Sequence, residues 1–288
     1  MTDQTNTDFK SIAILVNPLA GKGEAIKFES WLEKELTKRD IHFKFFKNDW
    51  PENFNDFSDI WIMGGDGSIN YFINRFPECK TPLALFQTGT GNDFSWKLYG
   101  NLSNEAIFEK VLKSNPKPVD VGKCNNTLFI NSFGIGFDGE ILKSMSAIRI
   151  LGGPVGYMVA VILKIFSYKE SACQVISGDE QWHEKFLLLI INNSSRAGGS
   201  FKITPNAQIN DGLLDLCLCK KLSIWQRLRY LPVLKSGKHL GLPFVTLRKG
   251  KSFQIIAEKE MPIQVDGELI IAKNVQVEVL PNHFYFRY

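Results

Sequence analysis

Four short apolar runs, three of them stopped by a glycine-rich turn, organise the first 120 residues of this chain. Ile12–Val16 ends at Asn17-Pro18, and Glu24 to Lys38 follows with Phe28, Trp31, Leu32 and Leu36 at helical spacing. His42–Phe46 reads as a second strand. Ile60–Met63 is a third, followed by a glycine turn and a helix from about Ile69 to Phe76. Leu83–Gln87 is a fourth, again followed by glycines. Apolar runs alternating with helices specify a parallel sheet with helices on its faces. Ligands of such sheets sit at the carboxyl ends of the strands, and all three glycine turns fall there.

Beyond about Val121 the pattern changes. Phe186–Ile191, Leu213–Cys219, Phe253–Ala257, Pro262–Val265, Val275–Leu280 and Phe284–Phe286 are short, β-branched or aromatic, and separated by turn residues. They specify a mostly antiparallel β domain, broken by helices near Gly156–Tyr168 and Ile224–Gly237. Pro116 and Pro118 mark the connection. The chain therefore reads as an α/β domain over residues 1–122 and a β-rich domain over 123–288.

Composition narrows the class. Apolar residues make up 44% and charged residues 22%, as in soluble globular proteins. Five cysteines at scattered spacings argue against a disulfide framework and fit a reducing cytosol. Cys217 and Cys219 point the same way on a strand, and two buried small side chains are the better reading than a metal pair. The polar start, Met1 to Lys10, lacks the regions of a signal peptide. Leu151 to Phe166 is shorter than the roughly 20 apolar residues a spanning helix needs, so it reads as a buried or interfacial helix. From Lys220 to Lys251 there are nine Lys or Arg and no Asp or Glu, beside Trp225 and Tyr230. That surface suits an anionic membrane face as well as plain solvent. No nucleic-acid motif accompanies it. The four histidines have no metal-ligand spacing, and His239 reads as surface or interfacial.

The turns carry the chemistry. In Asn17-Pro18-Leu19-Ala20-Gly21-Lys22-Gly23 two glycines let backbone N–H groups approach a phosphate, with a helix N-terminus behind them. It is not a Walker A loop. In Gly64-Gly65-Asp66-Gly67-Ser68-Ile69-Asn70, three glycines around one aspartate imply a backbone pressed close to a ligand, with Asp66 placed for Mg²⁺ or for the reacting groups. A helix-capping Asp66 is compatible with that. Thr88-Gly89-Thr90-Gly91-Asn92-Asp93-Phe94 offers Thr90 and the Gly91 amide to a phosphate, and Asn92 or Asp93 to a hydroxyl.

These motifs resemble the family of diacylglycerol kinases, bacterial lipid kinases, and sphingosine and ceramide kinases that share one catalytic domain. The likeness continues downstream through Asn131…Gly134-Ile135-Gly136-Phe137-Asp138, Gly198-Gly199, Pro205-Asn206-Ala207…Asp211-Gly212-Leu213-Leu214-Asp215 and Val265-Asp266-Gly267-Glu268. Three positions depart from it: Tyr71 stands where Glu is usual, Ala20 where Ser is common, and Trp96 where Arg is common.

The resemblance implies an α/β nucleotide domain, a β-sandwich, and an active site in the cleft between them. It implies ATP as substrate, bound by Asn17, Pro18, Gly21, Gly23, Gly64, Gly65, Gly67, Ser68, Asn70, Thr90, Gly91, Asn92 and Asp93. It implies a structural Mg²⁺ at Asp211, with backbone carbonyls near Gln208 and Leu213. Asp266 and Glu268 are the general-base candidates, with Asp66 on the metal of the nucleotide. An isolated Asp-Gly such as Asp266-Gly267 is otherwise better read as hairpin polarity. The expected reaction moves the γ-phosphoryl group of ATP to a lipid hydroxyl, diacylglycerol giving phosphatidic acid. The expected protein is cytoplasmic, peripherally bound to anionic membrane and without nucleic acid; a homodimer is left open. Two rival readings stand beside this one. An NAD kinase shares the Gly-Gly-Asp-Gly turn but not the Gly-Thr-Gly-Asn-Asp-Phe and Val-Asp-Gly-Glu motifs. A non-catalytic lipid- or nucleotide-binding module is suggested by Tyr71 and Trp96.

Overall fold

Strand β1 (Ile12–Val16) is buried at every residue. In the computed structural model, which describes residues 9–47, 49–147 and 153–288, β1 lies between two parallel neighbours, β2 (Phe43–Phe46) and β3 (Asp59–Gly64). Strand β4 (Leu83–Gln87) extends the sheet in parallel beyond β3. Covered on both faces, β1 and β3 carry unbroken apolar sequence rather than alternation. Helix α1 (Glu24–Lys38) buries Phe28, Leu32 and Leu36, the stripe expected from their spacing. Helix α2 (Asp66–Arg75) starts inside the glycine turn, earlier than Ile69, because the Gly65 carbonyl already accepts the Ser68 and Ile69 N–H groups. Helices α3 (Asp93–Tyr99) and α4 (Asn104–Lys113) follow β4. The Ser103 hydroxyl accepts the Ala106 N–H and caps α4, which buries Ile107, Phe108, Val111 and Leu112.

The chain divides into two units, Met1–Val119 with Asn282–Tyr288, and Asp120–Pro281. The break thus falls at Val119/Asp120 rather than after residue 122, and the C-terminal residues return to the first unit. Phe286 pairs in parallel with Leu83. The Arg287 guanidinium bonds the buried Asp59 carboxylate, and the Tyr99 hydroxyl donates to the Arg287 carbonyl at 2.8 Å.

The second unit contains the antiparallel pairings expected of it. Strand β5 (Pro116–Cys124) turns into β6 (Thr127–Phe129). Then come β7 (Ser132–Gly136), helices α5 (Phe137–Ala147) and α6 (Gly153–Ser167), β8 (Ala172–Ser177), β9 (Glu180–Asn192) and β10 (Leu214–Lys220). Helix α7 (Ile224–Lys235), β11 (Val245–Gly250), β12 (Ser252–Val265) and β13 (Glu268–Arg287) follow, and the last residues of β13 belong to the first unit. The strand order is β11-β10-β9-β7-β12-β13, with β8 paired to β9 and β12. Leu189, Ile191, Leu216 and Leu218 face one apolar core with residues of β12 and β13. Their neighbours Leu188, Ile190, Cys217 and Cys219 face a second core closed by α5, α6 and α7. The cysteines are free. Burial pushes the thiols of Cys217 and Cys219 up to about 12, as expected of inert packed side chains.

The polar start up to residue 8 and Leu151–Gly152 of the apolar stretch lie outside the described residues. Among the described residues no helix is long and apolar enough to cross a membrane.

Candidate functional site

The three glycine turns of the first unit meet backbone to backbone. Gly21, at φ +58, leaves so little space that a Cβ there would lie 2.2 Å from the Thr88 carbonyl oxygen. A Cβ on Gly89 would lie 2.3 Å from the Gly65 Cα, and one on Gly91 would lie 2.8 Å from Asp66 Oδ2. These glycines are required first for the turns to touch one another. Gly67 differs: a Cβ there would meet nothing within 4 Å. Gly67, Thr90 and Gly91 are exposed.

Short polar bonds fix the assembly. The Asn17 amide donates to Ser68 Oγ at 3.0 Å while its oxygen accepts the Leu19 N–H. Asn92 sits in the left-handed region at φ 55 and bonds both backbone groups of Gly89. Asp66, at the start of α2, accepts the Asp93 and Phe94 N–H groups at 3.0 Å each. It therefore caps α3 across the turn, in favourable alignment with that helix's dipole. Ser68, Asn70 and Asp93 are buried. Pro18 lies in the first turn, and Gly23 ends the 3-10 turn Ala20–Gly23. A polar pocket of about 270 Å³ adjoins Thr88 and Gly89, walled by Glu24, Lys27, Trp31 and Asn104. Of the three departures, Tyr71 is half exposed and accepts a bond from Arg75, and Trp96 donates to Asn101.

In the second unit Asp266 and Gly267 are the two central residues of the β12–β13 hairpin, at φ 47 and φ 90. Both signs are those of a type I′ turn. The Asp266 carboxylate accepts the N–H groups of Ile130, Asn131 and Ser132 at 2.6, 3.0 and 2.7 Å. It ties the hairpin to the chain before β7. Glu268, two residues on, is exposed.

The turn at Asp211 differs from what a structural Mg²⁺ needs. Oδ2 of Asp211 accepts the Lys249 ammonium at 2.6 Å, and Oδ1 accepts the Leu213 N–H at 3.2 Å. The same ammonium lies 3.7 Å from Asp215 Oδ2. The Gly212 N–H goes to Asp120 Oδ2 at 2.6 Å. A positive charge already stands against the only carboxylate of the expected set, so Asp211, Gln208 and Leu213 do not fit a divalent ion here.

Two further expectations change. His239 is buried, not superficial: its Nε2 lies 2.8 Å from the Ile203 carbonyl oxygen, and burial lowers its pKa. Arg227, counted in the basic surface, is buried too. Its guanidinium bonds the carbonyls of Leu222, Ile165 and Tyr168 and the Glu170 carboxylate.

Asp138, the last residue of the Gly134-Ile135-Gly136-Phe137-Asp138 motif, has no role in the expected site. It lies in the first turn of α5, two residues beyond β7, and lines an apolar pocket with Ile141, Val161, Ile190 and Leu231. Burial pushes its carboxyl up to about 6, against a hydrogen bond with Gln264 that lowers it. A second apolar pocket shares Phe137, Leu188, Leu231 and Leu234 with the first. The signal in sequence was a carboxylate beside a glycine-flanked strand end, the same signal as at Asp66.

Two family models match. The diacylglycerol kinase catalytic domain covers residues 11–124, and the YegS C-terminal NAD kinase β-sandwich-like domain covers 131–286. The diacylglycerol kinase of Bacillus subtilis is 24% identical over 219 residues, 74% of this chain and 72% of that one. A protein of Serratia proteamaculans named a probable YegS-like lipid kinase is 29% identical over 235 residues, 76% of this chain and 72% of its own. A crystal structure of a diacylglycerol kinase from Bacillus anthracis superimposes with a TM-score of 0.71 at 25% identity, covering 98% of both chains. An NAD kinase from Archaeoglobus fulgidus in complex with ATP shares the fold, with a TM-score of 0.58 at 13% identity over 96% of this chain and 93% of that one.

Proposed function

The chain belongs to the diacylglycerol kinase family of lipid kinases, and from that premise we propose that it transfers the γ-phosphoryl group of Mg·ATP to the hydroxyl of diacylglycerol, giving phosphatidic acid. The observation that carries the nucleotide half is the meeting of three glycine turns at the carboxyl ends of β1, β3 and β4, with Gly67, Thr90 and Gly91 turned to solvent. Backbone N–H groups of such turns, with the N-terminus of α2 behind them, favour a triphosphate. In this reading Asn17, Ser68 and Asn92 hold the turns in register. Asp66 would hold the metal of Mg·ATP, directly or through water, while its two oxygens keep the Asp93 and Phe94 N–H groups.

Glu268 is the group assigned to take the proton of the acceptor hydroxyl. It is exposed, whereas Asp266 is committed to three backbone donors. The apolar pockets against α5, α6 and α7 are assigned to the acyl chains, and Asp138 on their wall to the polar end of the lipid. The protein then works in the cytoplasm as a peripheral membrane enzyme.

The deciding experiment incubates the protein with Mg·ATP and a mixed lipid extract, followed by mass spectrometry of the phosphorylated products. Phosphatidic acid is the expected product. Phosphorylation of another lipid class would displace diacylglycerol as the acceptor. Phosphorylation of added NAD with no lipid product would move the chain to the rival chemistry.

A further inference from the structure

Most large apolar side chains of the second unit are buried, but five large ones are exposed at one junction. Ile162, Leu163 and Phe166 of α6 are 43%, 53% and 57% exposed, and Ile224 and Trp225 of α7 are 39% and 81% exposed. The junction is built by Arg227. From the first turns of α7 its guanidinium reaches the carbonyls of Ile165 at 2.9 Å and Tyr168 at 3.1 Å, at the end of α6. The last turns of α6 and the first turn of α7 are therefore held together, and their outward residues form one apolar knuckle. Arg227 and Glu170 are themselves buried, so the clamp is part of the packed interior rather than a surface pair.

Cations surround the knuckle. Lys169, Lys221 and Arg229 are exposed, and none of them forms an ion pair among the described residues. Arg229 stands one helical turn from Trp225, on the same face of α7. An apolar tip with a large aromatic residue, ringed by unpaired cations, matches the boundary between the acyl region and an anionic headgroup layer. A soluble protein partner would be met by the apolar tip alone; the ring of one charge sign selects an anionic surface.

The opposite faces of the same helices line the apolar pockets. Val161 and Ile165 of α6, and Tyr230, Leu231 and Leu234 of α7, face inward. We propose that the α6–α7 knuckle, with Phe166 and Trp225 at its tip and Lys169, Lys221 and Arg229 around it, inserts into the headgroup layer of an anionic bilayer. It thereby holds the two helices that wall the apolar pockets against the lipid source. The pocket assignment rests on the lipid-kinase reading above; the docking surface does not, and is tested without ATP.

The probe is a vesicle of phosphatidylglycerol and phosphatidylcholine, with pure phosphatidylcholine vesicles as the comparison. The full chain is expected to sediment with the anionic vesicles, and lipids brominated in the acyl chains are expected to quench a fluorescence component absent from a Trp225→Phe variant. The double variant Phe166→Ser/Trp225→Ser is expected to lose at least about tenfold in vesicle affinity. Lys221→Glu/Arg229→Glu is expected to lose binding to anionic vesicles, with the Tm of both variants within about 2 °C of the parent, as suits exposed positions. Turnover of a short-chain diacylglycerol in detergent is expected to persist in both. Vesicle affinity unchanged in the first double variant overturns the proposal. So does a concentration-dependent dimer that this variant abolishes while the parent ignores vesicles, which would make the knuckle a contact between copies. A parent protein that binds the vesicles but phosphorylates no lipid would sink the kinase reading and leave the docking surface standing.

Discussion

The ammonium of Lys249 lies 2.6 Å from Oδ2 of Asp211 and 3.7 Å from Oδ2 of Asp215. It supplies, from within the chain, the positive charge that the family resemblance assigns to a bound metal at this turn. Stability should therefore not depend on Mg²⁺. The Tm of the parent protein is expected to move by less than about 1 °C when a chelator replaces Mg²⁺. Lys249→Met removes the ammonium and leaves two carboxylates facing each other. Its Tm should drop by roughly 1–3 °C in chelator, the size of a partly exposed ion pair in a domain of this length, and recover with added Mg²⁺. A parent protein that loses several degrees to the chelator would show a metal site elsewhere or a displaced Lys249.

The glycine turns separate two roles that look alike in sequence. Gly89→Ala would place a Cβ 2.3 Å from the Gly65 Cα, and backbone has nowhere to yield. A fall in stability of about 2 kcal/mol or more is expected, with turnover lost as a consequence. Gly67→Ala enters open space within α2, where alanine favours the helix by roughly 0.5–1 kcal/mol. Its Tm should hold or rise while its affinity for ATP falls tenfold or more, since the methyl group fills the approach to the triphosphate. Thermal melting beside ATP titration distinguishes the two, and an unimpaired Gly67→Ala would remove Gly67 from the nucleotide site.

Those turns were legible because buried parallel strands are continuous apolar runs and their ends must be glycine where backbones meet. Strands β1 and β4 and helix α1 have the limits the sequence implies. Helix α5 was not legible: it begins at Phe137 straight out of β7, with Gly139 in its first turn and no cap residue before it. Strands β12 and β13 each read as two pieces. In β12 the register shifts between Ile256 and Met261, and Glu258, Lys259 and Glu260 face solvent there, so the apolar alternation breaks while the strand continues. The Lys249–Asp211 pair joins residues far apart in sequence, and the Arg227 clamp joins two helices. Neither leaves a local pattern. His239 misled because it follows a basic helix among Gly237, Lys238 and Gly241, while its ring folds back onto the Ile203 carbonyl.

Asp138 predicts a pH dependence. Its carboxyl is raised from the ordinary 3.8 to about 6 by burial. Between those values the folded state holds more protons than the unfolded chain, so this group's contribution to stability falls as pH rises through the window and is constant above it. Asp138→Asn keeps the shape and cannot ionise. The Tm of the variant minus that of the parent should therefore grow between about pH 4 and about pH 7 and level off beyond. Groups shared by the two proteins cancel in this difference. A difference that stays flat across the window would show that the carboxyl titrates normally, and would weaken its assignment to the pocket wall.

The Asp-Gly-Glu hairpin contains two carboxylates with different duties. Asp266 holds three backbone N–H groups in the segment before β7. Asp266→Asn keeps one oxygen but presents an NH₂ to donors, so at least one N–H is left opposed by another donor. A loss of about 1–3 kcal/mol is expected, visible as a lower midpoint in urea at an unchanged slope. Glu268 is exposed and its loss should cost the fold nothing measurable. Under the kinase reading, Glu268→Gln removes the proton acceptor and should lower kcat by about 10²–10⁴-fold with the affinity for ATP kept. The contrast carries the test. Equal stability in both variants would mean that the Asp266 bonds are dispensable. Full turnover in Glu268→Gln would pass the proton to another group, with Asp66 and Asp266 the carboxylates to examine next.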